Sequence, residues 1–283
     1  MNQHQAGGSV EVHCIPHLKT STCTYVVSDP ATKKCALIDT AADYEHASGS
    51  IQYTHADSVI QHVQDNGLTV MYILETHVHA DHLSAAQYIK GKVGGAIAIG
   101  LNVHEVQETF APRFGVEIKE EQFDLLLEDA QTLPLGDLTV EVMCTPGHTP
   151  ACVSYLVGDA VFTGDTLFHM DIGTARCDFP GGSVEEMWKS CQRLLALPEA
   201  TRNFIGHDYP GNRRPFTCCV TIGEQKASNK MVKAGTTMEE FSQMRTKRDA
   251  GLNAPALLLP SIQVNIMAGR LPKALTIPLS VNC

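Results

Sequence analysis

Residues 76–82, THVHADH, place His77, His79, Asp81 and His82 within six positions, directly behind the apolar run 69–74. Three later apolar runs end in comparable groups: TPGHT (145–149) with His148, TGDT (163–166) with Asp165, and GHDY (206–209) with His207. Imidazole nitrogens and carboxylate oxygens are the lone-pair donors that hold zinc or iron in proteins. One such residue is usually a satisfied histidine or a solvated acid. Seven of them, in a chain with 13 histidines in 283 residues, point to a metal centre. Loops beyond strand C-termini are where such groups converge in α/β proteins.

The elements that must deliver these residues are readable from periodicity. VEVHCI (10–15), CTYVVSD (23–29) and CALIDT (35–40) read as a meander of strands, with a turn at Asp29-Pro30. Ala56, Val59, Ile60 and Val63 fall at helical spacing, with Gly67 just beyond as a stop. TVMYILET (69–76) is a buried strand, DHLSAAQYIKGKVG (81–94) the helix after it, and AIAIG (96–100) the next strand. Strands follow at 138–145, 152–158, 160–165 and 203–208. Ser183 and Glu186 form a capping box ahead of the stripe Val184, Met187, Trp188, Cys191, Leu194 and Leu195. The tail from 222 is helical and then irregular, and APALLLPSIQ is too apolar to be loose. One domain over 1–283 is expected, with a core of about 10–210 and a C-terminal helical extension of about 211–283.

Bulk composition narrows the class. With 43% hydrophobic and 18% charged residues the chain reads as globular, and nothing approaches the roughly 18 apolar residues of a membrane span. A net charge of -10 argues against a nucleic-acid surface. No secretory or organellar signal is read at the start. The ten cysteines are scattered without a C-x-x-C, which predicts mostly buried, reduced thiols and a cytoplasmic location. Cys177 and the pair Cys218-Cys219 are read as small packing residues before any redox role. His55, His62, His104 and His169 show no partner pattern.

The motif series T-H-x-H-x-D-H, G-H-T, G-D-T and G-H-D resembles the metallo-β-lactamase superfamily in its expected order. The resemblance implies an α/β fold, the four-layer αββα sandwich, here with a C-terminal extension. It makes Asp39 the carboxylate that braces the histidine loop. GTARCDFPGG (173–182), HDYPGNRRPFTCCVTIGEQKASNK (207–230) and ALLLPSIQVNIMAGRLP (256–272) are similar to persulfide dioxygenases, the ethylmalonic encephalopathy protein group and its bacterial relatives. Glyoxalase II typically has a third histidine where this chain has Val78.

Those dioxygenases hold one Fe(II) per chain, which implies His77, His148 and Asp165 as ligands and three open positions for substrate and O2. His79, Asp81, His82 and His207 then orient ligands and donate hydrogen bonds. The implied substrates are glutathione persulfide, O2 and water, giving glutathione and sulfite. Glutathione carries two carboxylates, for which Arg176, Arg213, Arg214 and Lys226 are the candidate cations and Tyr209 a candidate contact. A homo-oligomer, dimer or tetramer, is expected, with no nucleic-acid or membrane partner. Because all seven donors are present, a dinuclear zinc thioester hydrolase of the glyoxalase II kind stays open. A non-enzymatic thiol sensor is the third reading.

Overall fold

A computed structural model describes residues 10–119, 121–211 and 214–277. The opening meander forms as expected: β1 (Glu11–His17), β2 (Thr22–Ser28) and β3 (Lys34–Ile38) are antiparallel neighbours. The short strands β4 (Ala41–Glu45) and β5 (Ser50–Gln52) precede helix α1 (Thr54–Asp65), which buries Ala56, Val59, Ile60 and Val63. Strand β6 (Thr69–Leu74) runs parallel to β3, and the histidine loop follows it.

The helix expected from Asp81 starts later. Leu83–Ser84 form strand β7, which pairs antiparallel with β4, so helix α2 begins at Ala86 (Ala86–Val93). Ser84 Oγ accepts from the Ala86 amide, which makes Ser84 a local stop ahead of the helix. Strand β8 (Ala96–Gly100), helix α3 (Val103–Phe114) and strand β9 (Leu125–Leu127) complete the first half.

The second half builds a second sheet. Strands β10 (Thr132–Leu135), β11 (Leu138–Cys144), β12 (Val153–Val157), β13 (Ala160–Phe162), β14 (Arg202–Phe204) and β15 (Cys219–Thr221) lie side by side in chain order. The first sheet has the order β1-β2-β3-β6-β8-β9, and β5-β4-β7 form a small third sheet. Helices α4 (Val184–Leu195), α5 (Ile222–Ser228), α6 (Met238–Asp249) and α7 (Leu258–Asn265) supply the rest. At α4, Ser183 caps the Glu186 amide, but the Glu186 side chain turns to Lys189 instead of closing the expected box.

Alternation on β3 accounts for the layers. Cys35 and Leu37 face a core shared with α1, α2, α3 and α7, whereas Ala36 and Ile38 face the other sheet. A third core packs Met143 and Val161 of the second sheet against α4, α5 and α6. The result is the four-layer αββα sandwich. Strand β3 is buried on both faces, which is why it reads as a continuous apolar run instead of an alternating one. The expected C-terminal extension is divided: α5 and α6 join one helical layer and α7 joins the other. No helix among the described residues is long and apolar enough to cross a membrane.

Strand direction sets where the donors meet. β12 is antiparallel to both β11 and β13, and β13 is parallel to β14. Strands β11, β13 and β14 therefore run the same way and end at one edge. The Val153 amide donates to Thr76 O (2.9 Å), joining that edge to the end of β6.

Candidate metal centre

The histidine loop is braced from behind. Asp39, just past β3 at φ 51°, occupies left-handed backbone that few non-glycine residues adopt. From there its carboxylate accepts from the Thr76 amide (2.8 Å), the Thr76 hydroxyl (2.8 Å) and His79 Nε2 (3.0 Å). Glu75, hidden in the apolar run, places Oε2 3.2 Å from the same His79 nitrogen and accepts a short hydrogen bond from Ser84. Close approach of backbone is required as well. A Cβ on Gly147, at φ 144°, would collide with the backbone of Met187 in α4, beside His148. A Cβ on Gly206 would come 2.7 Å from Asp165 Oδ1.

The outward hydrogen bond of each histidine fixes its tautomer. The Thr76 hydroxyl donates to Asp39, so its oxygen accepts from His77 Nδ1 (3.0 Å), which leaves the His77 Nε2 lone pair inward. Backbone carbonyls accept from Nδ1 of His148 (Arg176 O, 2.8 Å), His82 (Leu83 O, 3.3 Å) and His207 (Ser21 O, 3.3 Å). Each of these also turns Nε2 inward. His79 is the reverse case, donating from Nε2 to Asp39 and turning Nδ1 inward.

The inward atoms are suited to a cation. His77 Nε2, His79 Nδ1, His82 Nε2 and Asp165 Oδ1 are buried and have no hydrogen-bond partner. Asp165 Oδ2 lies 3.9 Å from His77 Nε2 and 3.8 Å from His148 Nε2, and these three residues form one possible ligand group. His79, Asp81 and His82 form a second. His207 Nε2 lies between them, 3.4 Å from both Asp81 Oδ2 and Asp165 Oδ1.

The electrostatics agree. Burial and the neighbouring rings push His77 far below its ordinary value, and burial holds His82 down to about 3, so both present neutral lone pairs. Burial raises Asp39, but His79 and the Thr76 donors outweigh it and keep it ionised. Burial also opposes charge on His79 and on His207, yet the facing carboxylates raise both. Asp165 is raised, mainly by burial. At His207 the carboxylates of Asp81 and Asp165 face the inward Nε2, and such enclosed negative charge favours a metal ion there.

Asp165, His148 and Asp81 reach the wall of a cavity of about 640 Å³. Phe168 and Ile172 give it apolar surface, and Lys19, Arg176, Arg245 and Arg248 give it cationic groups. Of the residues expected to touch substrate, Arg176 and Tyr209 line this cavity. The Arg176 guanidinium is tied to Asp178 and Asn253 O, and the Tyr209 ring stacks on His207 at 5.6 Å.

Two expected contacts are corrected. Arg214 is a strut: it bridges Asp208 (2.6 Å) and Asp171 (2.9 Å), which fixes the residue after His207, and it does not line the cavity. Lys226 lies on α5 beside Glu199 (3.7 Å) and borders a different depression. Arg213 lies outside the described residues.

Several supporting residues had no pattern in the sequence to betray them. Arg245, Arg248 and Lys19 are cations whose placement depends on the tertiary fold. Asn265 of α7 donates to His79 O and His82 O and accepts from the Ser84 amide, each at 2.8 Å. His55 and His169 do have partners, Thr24 (3.0 Å) and Asp171 (2.7 Å). The nine described cysteines are free, with Cys177 buried and Cys218 and Cys219 only partly so.

Residues 19–207 match the model of the Metallo-beta-lactamase superfamily. A Dictyostelium discoideum protein named Glyoxylase B2 is 47% identical over 268 residues, covering 93% of this chain and 92% of its own. Persulfide dioxygenase ETHE1, mitochondrial, of Bos taurus is 27% identical over 259 residues, 90% of this chain and 87% of that one. The crystal structure of ETHE1 from Myxococcus xanthus superposes with a TM-score of 0.75 at 28% identity, covering 92% of this chain and 100% of that one.

Proposed function

The chain belongs to the metallo-β-lactamase superfamily, and within it we propose that the protein is an iron(II)-dependent persulfide dioxygenase acting on glutathione persulfide. The observation that carries this is the convergence of His77 Nε2, His148 Nε2 and Asp165 beside a cavity with a cationic wall. Two histidines and one carboxylate are the donor set of non-haem iron oxygenases, whose metal keeps positions open. Iron held there would supply binding positions for the persulfide sulfur and O2 and the electrons for dioxygen chemistry. The Myxococcus xanthus and Bos taurus relatives support the reading by their names.

The residues of this chain do the rest. Asp39, Thr76 and Arg176 O hold the ligand rings in one tautomer and orientation. Phe168 and Ile172 limit water around the reacting sulfur. Arg248 and Lys19 face the cavity where the carboxylates of a glutathione moiety would lie. The net change is persulfide, O2 and water going to thiol, sulfite and two protons.

A second reading has its own observation. His79, Asp81 and His82 form a second donor group, two of whose nitrogens are buried without hydrogen bonds. Two zinc ions would make a thioester hydrolase, and the relative at 47% identity is named Glyoxylase B2. Metal analysis of protein purified without added metal separates the two, together with O2 uptake on glutathione persulfide and hydrolysis of a glutathione thioester. About one iron per chain with O2 uptake is expected. Two zincs per chain with thioester hydrolysis alone would reverse the order.

A further inference from the structure

Outside the seven donors, a second polar chain reaches the cavity. His17, at the end of β1, is buried, as is Asp43 of β4. His17 Nε2 lies 3.3 Å from Asp43 Oδ1, and His17 Nδ1 lies 2.7 Å from Thr20 Oγ1. Thr20 Oγ1 is 2.9 Å from Thr22 Oγ1. Thr22 Oγ1 lies 3.4 Å from His207 Nδ1 and 3.5 Å from Asp81 Oδ2, at the metal edge. His17 and Thr20 also line the 640 Å³ cavity that Asp165 and His148 border.

The donors in this chain have one consistent direction. Asp43 also accepts from the His55 amide (2.9 Å) and faces Lys19 Nζ (3.4 Å), which keeps it an ionised acceptor. It therefore takes Nε2–H from His17 and leaves Nδ1 with a lone pair. The Thr20 hydroxyl must then donate to His17, and the Thr22 hydroxyl gives its one hydrogen to Thr20 at 2.9 Å in preference to Asp81 at 3.5 Å. A histidine oriented by a carboxylate and facing a hydroxyl is the arrangement of a general base.

We propose that His17, oriented by Asp43 and reached through the hydroxyls of Thr20 and Thr22, accepts the proton released from water at the metal centre. The proposal rests on the reading that the centre consumes water, which both the dioxygenase and the hydrolase do. In the step, Thr20 passes its hydroxyl proton to His17 Nδ1 and takes that of Thr22, whose oxygen takes one from the reacting water. The O–H bond of that water breaks, its electron pair stays on oxygen, and the imidazolium so formed faces the Asp43 carboxylate.

Four charged or titratable groups face the His17 ring. They are Asp43 of β4, Lys19 of the following turn, Asp81 of the histidine loop, and His55 of α1 with ring centroids 4.9 Å apart. Burial lowers His17 from its ordinary value, against the pull of Asp43, which leaves the ring neutral and able to accept. His55 is held neutral too, at about 4, chiefly by burial. None of the four is a ligand of the His77, His148 and Asp165 group.

The test compares wild type with His17→Gln, Thr20→Val and Asp43→Asn. Removing the acceptor should lower kcat about a hundredfold, the low end for general acid–base catalysis. The acidic limb of the kcat–pH profile should flatten, with metal content and KM unchanged. Thr20→Val should reproduce this, and added imidazole should restore part of the rate to His17→Ala. Wild-type kcat and pH profile in His17→Gln would overturn the proposal. So would loss of metal in step with activity, which would make His17 a strut.

A second measurement needs no turnover. Nitrogen-resolved NMR of the imidazoles should find His17 neutral and Nε2-protonated at pH 7, and Asp43→Asn should shift that tautomer. A charged or Nδ1-protonated His17 would overturn the relay whatever reaction is catalysed. The expected tautomer in a protein that takes up no O2 with persulfide would sink the dioxygenase reading alone. The kinetic comparison would then run on the thioester.

Discussion

Asn265 offers the sharpest test of how the metal loop is held. Its amide makes three hydrogen bonds of 2.8 Å, to His79 O, His82 O and the Ser84 amide, all in buried surroundings. Asn265→Leu keeps much of the volume and removes every one of these partners. A buried polar group left without a partner costs about 1–3 kcal/mol, so three of them cost roughly 3–5 kcal/mol after partial relaxation. That is a large part of the 5–15 kcal/mol by which domains are typically stable.

The loss should also have a local share. Both stranded carbonyls belong to residues of the second donor group, and they flank Asp81. If about 2 kcal/mol of the loss falls on the metal-bound form alone, metal affinity drops by roughly thirtyfold. Urea unfolding of metal-free protein gives the first quantity, and chelator competition gives the second. A loss below about 1 kcal/mol together with unchanged metal affinity would refute the clamp. A full loss of stability at unchanged affinity would show that α7 supports the fold without tuning the loop.

Other outcomes follow from the same geometry. His77→Ala, His148→Ala and Asp165→Ala should lose iron and O2 uptake together, whereas His82→Ala and His207→Ala should lose activity and keep substantial iron. Metal analysis of the purified variants decides this, and equal losses in all five would refute a mononuclear site. Arg248→Met should raise KM for glutathione persulfide about tenfold at constant iron, since a charge-assisted bond is worth about 1.5–3 kcal/mol. Lys226→Met should leave KM unchanged, and a rise of the same size would refute the corrected placement. His55 is lowered from 6.5 to about 4, chiefly by burial, so between those values the unfolded chain binds a proton that the folded chain does not. Stability should rise with pH across that window by about 3 kcal/mol from this residue. Denaturant melts of His55→Gln from pH 4 to 7 should show a flatter dependence, and an unchanged slope would refute it.

The donors were legible because their signal is local. Four lie in one heptapeptide, and the others end runs whose β-branched character marks them as strands. The two sheets were legible for the same reason: a short run such as CALI, apolar at consecutive positions and close behind the Asp29-Pro30 turn, fits a strand covered on both faces. The small sheet was not, since β7 is two residues long and exists only because Ala41 and Ala42 lie opposite it. Cation roles were least legible. Arg214 and Arg248 look alike in sequence, and what separates them is position: Arg214 bridges Asp208 and Asp171, 43 residues away, whereas Arg248 lines the cavity. Glu75 was masked by the apolar run around it, and Asn265 acts on a loop 186 residues earlier.

The C-terminal extension reaches the metal centre by two separate routes, and both work through backbone. Asn265 secures the carbonyls of His79 and His82. On the other side of the sandwich, Arg245 of α6 donates to Asp249 and to Thr174 O, and Asp249 accepts from the Cys177 amide (3.0 Å). Those two bonds flank Arg176, whose carbonyl accepts from His148 Nδ1 and so turns that ring toward Asp165. Arg245 is fully buried and paired, and stripping one partner from a buried pair is far costlier than the pair is worth. Such a pair adds little net stability, so its consequence here is geometric: it holds the segment that sets the tautomer and direction of His148. The seven donors form the candidate metal centre, but the helices after residue 222 hold two of the loops that carry them and supply Arg245 and Arg248 to the cavity wall. Metal geometry and substrate wall are thus coupled through one stretch of chain that contributes no donor of its own.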